Sequence, residues 1–251
     1  AAGASLKADA GTSGNGGTVA VWADQNTNFG GTISAKGGSV SGDGGKVETS
    51  GKQKLKVADT ARVDTTAAKG KTGSWLLDPY DFTVAPSGGD ATGTNLSGWL
   101  AASNVTIETT LNRSVVYDGA GTFLPGGISK GVDGDININE AVTWTSGKTL
   151  TLSAYNNINI NAAITATNDG TPNGTPTGSL TLSAGNGGST GNISCAGTVN
   201  VGSVAVTGNN VTLNASNALK LGTSNVRGDL NITADESTNS LVITAQPNVM
   251  N

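Results

Sequence analysis

The residues best suited to acid and base chemistry are the aspartates of Asp133-Gly134-Asp135, with Asp118 nearby in the sequence. Paired carboxylates can act as the acid and the base that cleave a glycosidic bond, and lyases add basic groups that hold a uronate sugar. The basic residues of this half of the chain, such as Arg113, Lys130 and Arg227, are scattered. Aspartates next to glycine are also ordinary corner residues. We therefore expect no catalytic residues and predict that the protein is not an enzyme.

Metal and cofactor chemistry is disfavoured by composition. The 251 residues include no histidine and one cysteine, Cys195, so the usual zinc ligand sets and an internal disulfide are both excluded. The aspartate cluster offers the oxygen ligands that calcium prefers, but the sequence contains neither an EF-hand loop nor a Gly-Gly-x-Gly-x-Asp repeat. We predict no bound metal and no cofactor.

A group of lysines is a candidate contact for a partner. The formal net charge is −4, yet eight of the 14 basic residues lie between Lys36 and Lys71. Among them, Lys52, Lys54 and Lys56 alternate with uncharged residues, so a strand here would carry three ammonium groups on its outer face. They could bind an acidic polysaccharide or a lipid headgroup, or form a solvated face that discourages strand addition.

The four tryptophans are Trp22, Trp75, Trp99 and Trp144, and each could stack on a sugar ring. Trp75 stands beside two leucines and is expected in the core. Trp99 lies in a segment that we expect to protrude, so it is the second candidate for a partner contact.

These candidates are set among repeated strands. From residue 134 onward, a short phrase returns in which Ile, Leu or Val alternates with Asn, Ser or Thr. The phrases begin at residues 134, 156, 178, 191, 209 and 228 and are 22, 22, 13, 18 and 19 residues apart. Most intervals match one turn of a solenoid with repeats of roughly 20 residues. The short interval suggests that one phrase begins on a different side of the turn.

The alternation has a period of two, which is typical of a strand with one face inward. Gly-Asn, Gly-Gly, Asn-Gly and Asp-Gly pairs between phrases suit tight corners. A sandwich or Greek-key barrel is the competing fold, but like phrases recur in one orientation, which favours an all-β parallel β-helix. Its predicted core comprises Ile136, Ile138, Ile158, Ile160, Leu180, Leu182, Val211, Leu213, Leu230 and Ile232. The outward Asn137, Asn139, Asn159 and Asn161 are expected to form amide ladders.

The same pattern begins before residue 20, so we predict one solenoid over residues 1–251 without a second domain. Two segments interrupt it. Residues 95–103 place Leu96, Trp99 and Leu100 at helical spacing, and residues 111–133 suggest a long loop or an extra hairpin. Both are expected to protrude from the rod.

One stretch carries a family resemblance. Lys71-Thr-Gly-Ser-Trp-Leu-Leu-Asp-Pro-Tyr-Asp-Phe-Thr-Val resembles the large bacterial exoproteins of the filamentous haemagglutinin type, which are exported by two-partner secretion. The likeness covers about residues 17–166, and its specific part is residues 71–84. The Asn-Pro-Asn motifs of the family's N-terminal secretion domain are missing, and residues 111–133 are longer than expected. The chain therefore resembles an internal or C-terminal segment with a local elaboration.

The resemblance implies a right-handed parallel β-helix that is secreted or held at the bacterial surface and mediates attachment, aggregation or matrix formation. The implied partners are glycans or proteins of host or neighbouring cells, and not nucleic acid. Two alternatives stay open: a filament subunit that stacks end to end on copies of itself, and a carbohydrate-active β-helix enzyme. No window approaches the roughly 18 apolar residues of a membrane span.

Overall fold

A computed structural model describes residues 3–110, 134–167, 176–186, 190–216 and 219–234. The predicted loop or hairpin at 111–133 lies outside the described residues. The described chain is built mostly of parallel β-strands, as predicted for an all-β protein, with one short helix. In chain order the elements are β1 (Ser5–Lys7), β2 (Thr18–Ala23), β3 (Asn26–Phe29), β4 (Thr32–Ser34), β5 (Lys46–Gly51), β6 (Lys54–Val57), β7 (Arg62–Asp64), β8 (Ser74–Asp78), β9 (Phe82–Val84), α1 (Gly93–Trp99), β10 (Asn104–Glu108), β11 (Ile136–Ile138), β12 (Val142–Trp144), β13 (Thr149–Ala154), β14 (Ile158–Ile160), β15 (Ile164–Ala166), β16 (Ser179–Ala184), β17 (Ile193–Cys195), β18 (Val199–Asn200), β19 (Ser203–Gly208), β20 (Val211–Ala215), β21 (Asn225–Val226) and β22 (Leu230–Ala234).

The longest uninterrupted stack of strands, called here the long sheet, has the spatial order β2-β5-β8-β10-β13-β16-β19-β21. Every neighbouring pair is parallel, and each strand is one rung of the stack. Residues paired across successive rungs up to β19 are 28, 28, 30, 45, 30 and 24 positions apart in the sequence. The rungs of this sheet are therefore longer than the roughly 20 residues expected from the phrase spacing.

The other strands form three further sheets. Strands β1, β4 and β7 form one, and β3 and β6 form another. The third has two short stacks, β9-β11-β14-β17 and β12-β15-β18, that meet on β20. Val211 of β20 pairs with Ile193 of one stack, while Ala215 pairs with Val199 of the other. One longer strand thus replaces two short ones, and β22 pairs with it on the following rung.

The repeated phrases supply strands of two different sheets. Five of them supply β11, β14, β17, β20 and β22, whereas the phrase at 178 supplies β16 of the long sheet. The prediction that one phrase begins on a different side is confirmed. Because the phrase at 178 lies in the long sheet, Ile158 pairs with Ile193 over an interval of 35 residues rather than 22.

The predicted core is largely correct. Eight of the ten residues are at most 1% exposed, namely Ile136, Ile138, Ile158, Ile160, Leu180, Leu182, Val211 and Leu213. The prediction was wrong for Leu230, which is 41% exposed, and Ile232 is only partly buried. Leu230 pairs with the buried Val211 and so continues the inner column, but it lies on the last described strand. Its upper side is therefore not covered by a further described rung.

The helical spacing in residues 95–103 does mark a helix, but its apolar side does not protrude. Leu96, Trp99 and Leu100 of α1 and its C-cap are at most 2% exposed. The Trp99 ring lies 4.7 Å from that of Trp75, centroid to centroid. The Thr92 hydroxyl caps the helix by accepting a hydrogen bond from the Asn95 N–H. The helix α1 has seven residues, and the described ranges contain no helix with the length and hydrophobicity of a membrane span.

We predict that Ile138→Asp lowers the free energy of unfolding by several kcal/mol, because it buries an unpaired carboxylate between rungs. Thr143→Asp is a matched control, since Thr143 is exposed on a neighbouring strand, and it should change stability little. Chemical denaturation of both variants is the measurement. Equal stability of Ile138→Asp and the wild type would show that the inward face is assigned wrongly.

Candidate partner-binding surfaces

The aspartate singled out for acid and base chemistry holds a corner of the fold. Asp135 stands just before β11, and its Oδ1 accepts hydrogen bonds from the N–H and the Nδ2 of Asn157, at 2.9 and 3.2 Å. On the rung before, the Asp81 Oδ1 accepts from the Asp135 N–H at 3.0 Å. Asp133 and Asp118 lie outside the described residues. These contacts support the interpretation of Asp135 as a corner residue.

The same bond recurs on later rungs. The Asn157 Oδ1 accepts from the Asn192 N–H, the Asn192 Oδ1 from the Asn210 N–H, and the Asn210 Oδ1 from the Asp229 N–H, all at 3.0 to 3.1 Å. These bonds form a corner ladder, in which each side chain holds the backbone of the next rung. Its side chains are those of Asp81, Asp135, Asn157, Asn192 and Asn210, and its last backbone partner is the Asp229 N–H.

The predicted asparagine ladder is also present. The Asn159 Nδ2 donates to the Asn137 Oδ1 at 2.9 Å, and the Asn161 Nδ2 donates to the Asn139 Oδ1 at 2.8 Å. These amides are thus bonded along the stack, which confirms the expectation from the sequence.

The lysines of the predicted basic strand lie on the surface. Lys54 and Lys56 are exposed on β6, while the intervening Leu55 is fully buried. Asn26 and Asn28 of β3 are their exposed partners on the rung before. We call these four residues the lysine face. Lys52 is exposed in the bend that precedes β6, so it flanks this face rather than sharing its strand.

The charge of the lysine face is only partly balanced. The one ion pair among the described residues joins Lys36 to Asp64 at 2.9 Å and involves neither Lys54 nor Lys56. The positive charges of both lysines interact with the carboxylate of the half-buried Asp90. Burial raises the pKa of that carboxyl, and a hydrogen bond from the Thr83 N–H and the two positive charges oppose the rise. The lysine face therefore keeps a net positive charge.

Trp99 was wrongly chosen as an exposed contact, because it is 2% exposed. Trp75 is fully buried as expected, and Trp144 is 3% exposed. The exposed tryptophan is instead Trp22, at 57%. A signal for this was present in the sequence: Val19 and Val21 point toward the core, so the period of two places Trp22 outward.

Trp22 begins a row of outward side chains across the long sheet. It pairs with Ser50, and Ser50 pairs with Asp78 on the next rung. Because Leu77 pairs with Ile107, the following residues, Asp78 and Glu108, stand beside each other. Trp22, Ser50, Asp78 and Glu108 are called the tryptophan row. The sequence did not reveal this row, since its members lie about 30 positions apart.

Burial and nearby negative charges raise the pKa of one carboxyl group in the tryptophan row. The Asp78 Oδ1 is buried and makes no hydrogen bond within the described structure. Burial, and then the negative charges of Glu108 and Glu48, raise the pKa of Asp78 to about 6. Glu48 itself accepts a hydrogen bond from the Ser50 hydroxyl at 2.8 Å. In the described part of the chain, no group of three or more acidic or cysteine side chains is arranged to hold a metal ion.

Neither a family model nor a curated protein matches this chain. The resemblance of residues 71–84 to the haemagglutinin-type exoproteins therefore stays an expectation. Its residues have clear structural roles here: Trp75 and Leu77 fill the core, and Asp81 begins the corner ladder.

The raised pKa of Asp78 predicts a pH-dependent stability. Between about pH 4 and pH 6 the folded state binds more protons at this site than the unfolded state does, so stability falls as the pH rises through that window. Asp78→Asn removes this loss. We expect the stability of Asp78→Asn relative to the wild type to be greater at pH 7 than at pH 4 in chemical denaturation.

The exposed Asp24 provides a control, because Asp24→Asn removes a surface carboxylate that is not among the charges shifting the pKa of Asp78. An advantage of Asp78→Asn that is the same at both pH values would contradict the assignment.

Proposed function

We propose that the chain is a non-catalytic, rod-like segment of an extracellular bacterial adhesin or scaffold, folded as a right-handed parallel β-helix. The observation that carries this proposal is the corner ladder. Side chains that could converge on a substrate in an enzyme are bonded to the next rung instead, and Asp135 is the leading example. A fold that uses its polar groups in this way is suited to building length.

The stacking supports a scaffold role for a second reason. In solenoids each repeat contacts mainly its neighbours, so additional rungs extend the surface without changing the core. The long sheet follows this rule over eight parallel strands. Such a rod presents side chains at regular intervals, which suits the attachment of polymers or cell surfaces.

The secreted or surface-held location and the class of partner come from the resemblance of residues 71–84. We propose attachment to glycans or proteins of a host or neighbouring cell. The exposed ammonium groups of Lys54 and Lys56 favour an acidic glycan, with the amides of Asn26 and Asn28 as hydrogen-bonding neighbours. Lys52 extends the positive surface at its edge.

We expect the wild type to bind a uronate-containing polysaccharide and the double variant Lys54→Gln/Lys56→Gln to bind it roughly three- to tenfold more weakly, as befits two exposed charges. Binding should also weaken with added salt. Biolayer interferometry on the immobilised glycan measures both effects. The double variant Lys69→Gln/Lys71→Gln is the control, because it removes the same charge from exposed residues outside the lysine face.

Two results would count against the proposal. Unchanged affinity of Lys54→Gln/Lys56→Gln would remove the lysine face as the contact. Sustained release of reducing ends or unsaturated products from the glycan would favour the carbohydrate-active enzyme instead.

A further inference from the structure

A cleft adjoins the lysine face where β6 ends. Its walls are residues 56–59 and 85–92, and its volume is about 320 Å³. Lys56 belongs to both the lysine face and the cleft. Small-molecule sites begin at roughly 300 Å³, so the cleft has room for one sugar ring of a longer chain. A glycan that follows β6 past Lys54 and Lys56 would enter it.

Backbone hydrogen bonds fix the shape of the cleft. The Val57 N–H donates to the Asp90 carbonyl oxygen at 2.8 Å, which joins the two walls. The Ala85 N–H donates to the Ala91 carbonyl oxygen at 3.0 Å, which closes the loop between these two residues. Val57 and Ala91 are at most 5% exposed and anchor the walls in the core. The cleft is therefore formed before a ligand binds, and a preformed site loses less entropy on binding.

The side chains of the cleft differ in charge from the lysine face. The Asp90 Oδ2 accepts a hydrogen bond from the Thr83 N–H at 2.9 Å, while its Oδ1 has no hydrogen-bond partner among the described residues. Asp59 is exposed, and its Oδ1 accepts from the Asn95 Nδ2 at 2.7 Å. Carboxylates accept hydrogen bonds from hydroxyl groups and repel other carboxylates. The cleft is thus suited to an uncharged sugar.

The lysine face has room for one carboxylate beside the cleft. Lys54 and Lys56 are two residues apart on one strand, a distance of about 7 Å. A single carboxylate lying between them can pair with both ammonium groups. The sugar that follows it along β6 then reaches Asp59 and Asp90. The protein therefore presents positive charge to one sugar and hydrogen-bond acceptors to the next.

We infer that the lysine face and the cleft together bind an acidic glycan in which uronates alternate with uncharged sugars. A uronate pairs with Lys54 and Lys56, and a hydroxyl of the neighbouring sugar donates to the Asp90 Oδ1. This inference rests on the proposed glycan-binding function and names the class of glycan. It also separates two contributions: the lysines supply attraction, and the cleft supplies selection.

The test compares two octasaccharides by isothermal titration calorimetry. In the first, glucuronate alternates with N-acetylglucosamine; the second is octagalacturonate, in which every sugar is charged. We expect the alternating octasaccharide to bind roughly three- to tenfold more tightly, although it carries half the charge. Attraction to the lysines alone would give the opposite order.

Three variants locate the selection in the cleft. Asp90→Asn should remove most of the preference and strengthen the binding of octagalacturonate, because it removes the repulsion and keeps an oxygen acceptor. Asp24→Asn is the control and should keep the preference, since it removes an exposed carboxylate that does not line the cleft. Ser87→Trp should weaken binding of the alternating octasaccharide, because it places a bulky ring on the cleft wall. Ser87 is exposed, so the unfolding midpoint of this variant should match the wild type.

The inference fails if octagalacturonate binds the wild type as tightly as the alternating octasaccharide, or if Asp90→Asn keeps the full preference. Either result leaves the lysine face intact as a contact for acidic glycans. Binding of neither octasaccharide, together with failure of the uronate-containing polysaccharide to bind, would instead overturn the proposed acidic-glycan contact and this inference with it.

Discussion

Hydrogen bonding between corresponding residues of successive rungs is the constraint on which the structure depends. In parallel pairing each strand donates to and accepts from the strand above and below, so every rung must return to the same register. Like residues then stack on like. Ile136, Ile158 and Ile193 form an inner column, while Asn137 lies beside Asn159 on the outside. The stacking that fills the core therefore also produces the amide ladders.

The corners obey the same constraint. At the entry to the long sheet, Gly17, Gly45 and Gly73 stack on one another. A Cβ on Gly45 would lie 2.1 Å from the Gly17 carbonyl oxygen, and one on Gly73 would lie 1.9 Å from the Gly45 carbonyl oxygen. Only glycine allows the rungs to approach this closely. Elsewhere an Asp or Asn fixes the corner through its side chain, as Asp135 does. The glycine and Asx content of the sequence is thus a consequence of rung stacking.

This explains what could be predicted from the sequence. Period-two alternation identified the strands and their inward residues, because both are determined by residues that are close together in the sequence. Pairing across rungs depends on the length of the turns between them, so the adjacency of Asp78 and Glu108 was hidden. Trp99 was misplaced for another reason. Its helical spacing was recognised, but the apolar side formed with Leu96 and Leu100 required burial, and the core beside Trp75 provides it.

Stacking like on like is favourable for apolar and amide groups and unfavourable for charges, because adjacent carboxylates on neighbouring strands repel each other. The corner and asparagine ladders avoid this cost by pairing each side-chain oxygen with an N–H. The tryptophan row does not avoid it: the Asp78 Oδ1 is buried beside Glu108 and has no hydrogen-bond partner among the described residues, and Trp22 leaves most of its ring in solvent. A local departure from the rule that organises the other rungs is where function is expected to override stability. The regular rungs thus build the parallel sheets, and the tryptophan row is where the described chain lacks the pairing that stabilises the other rungs.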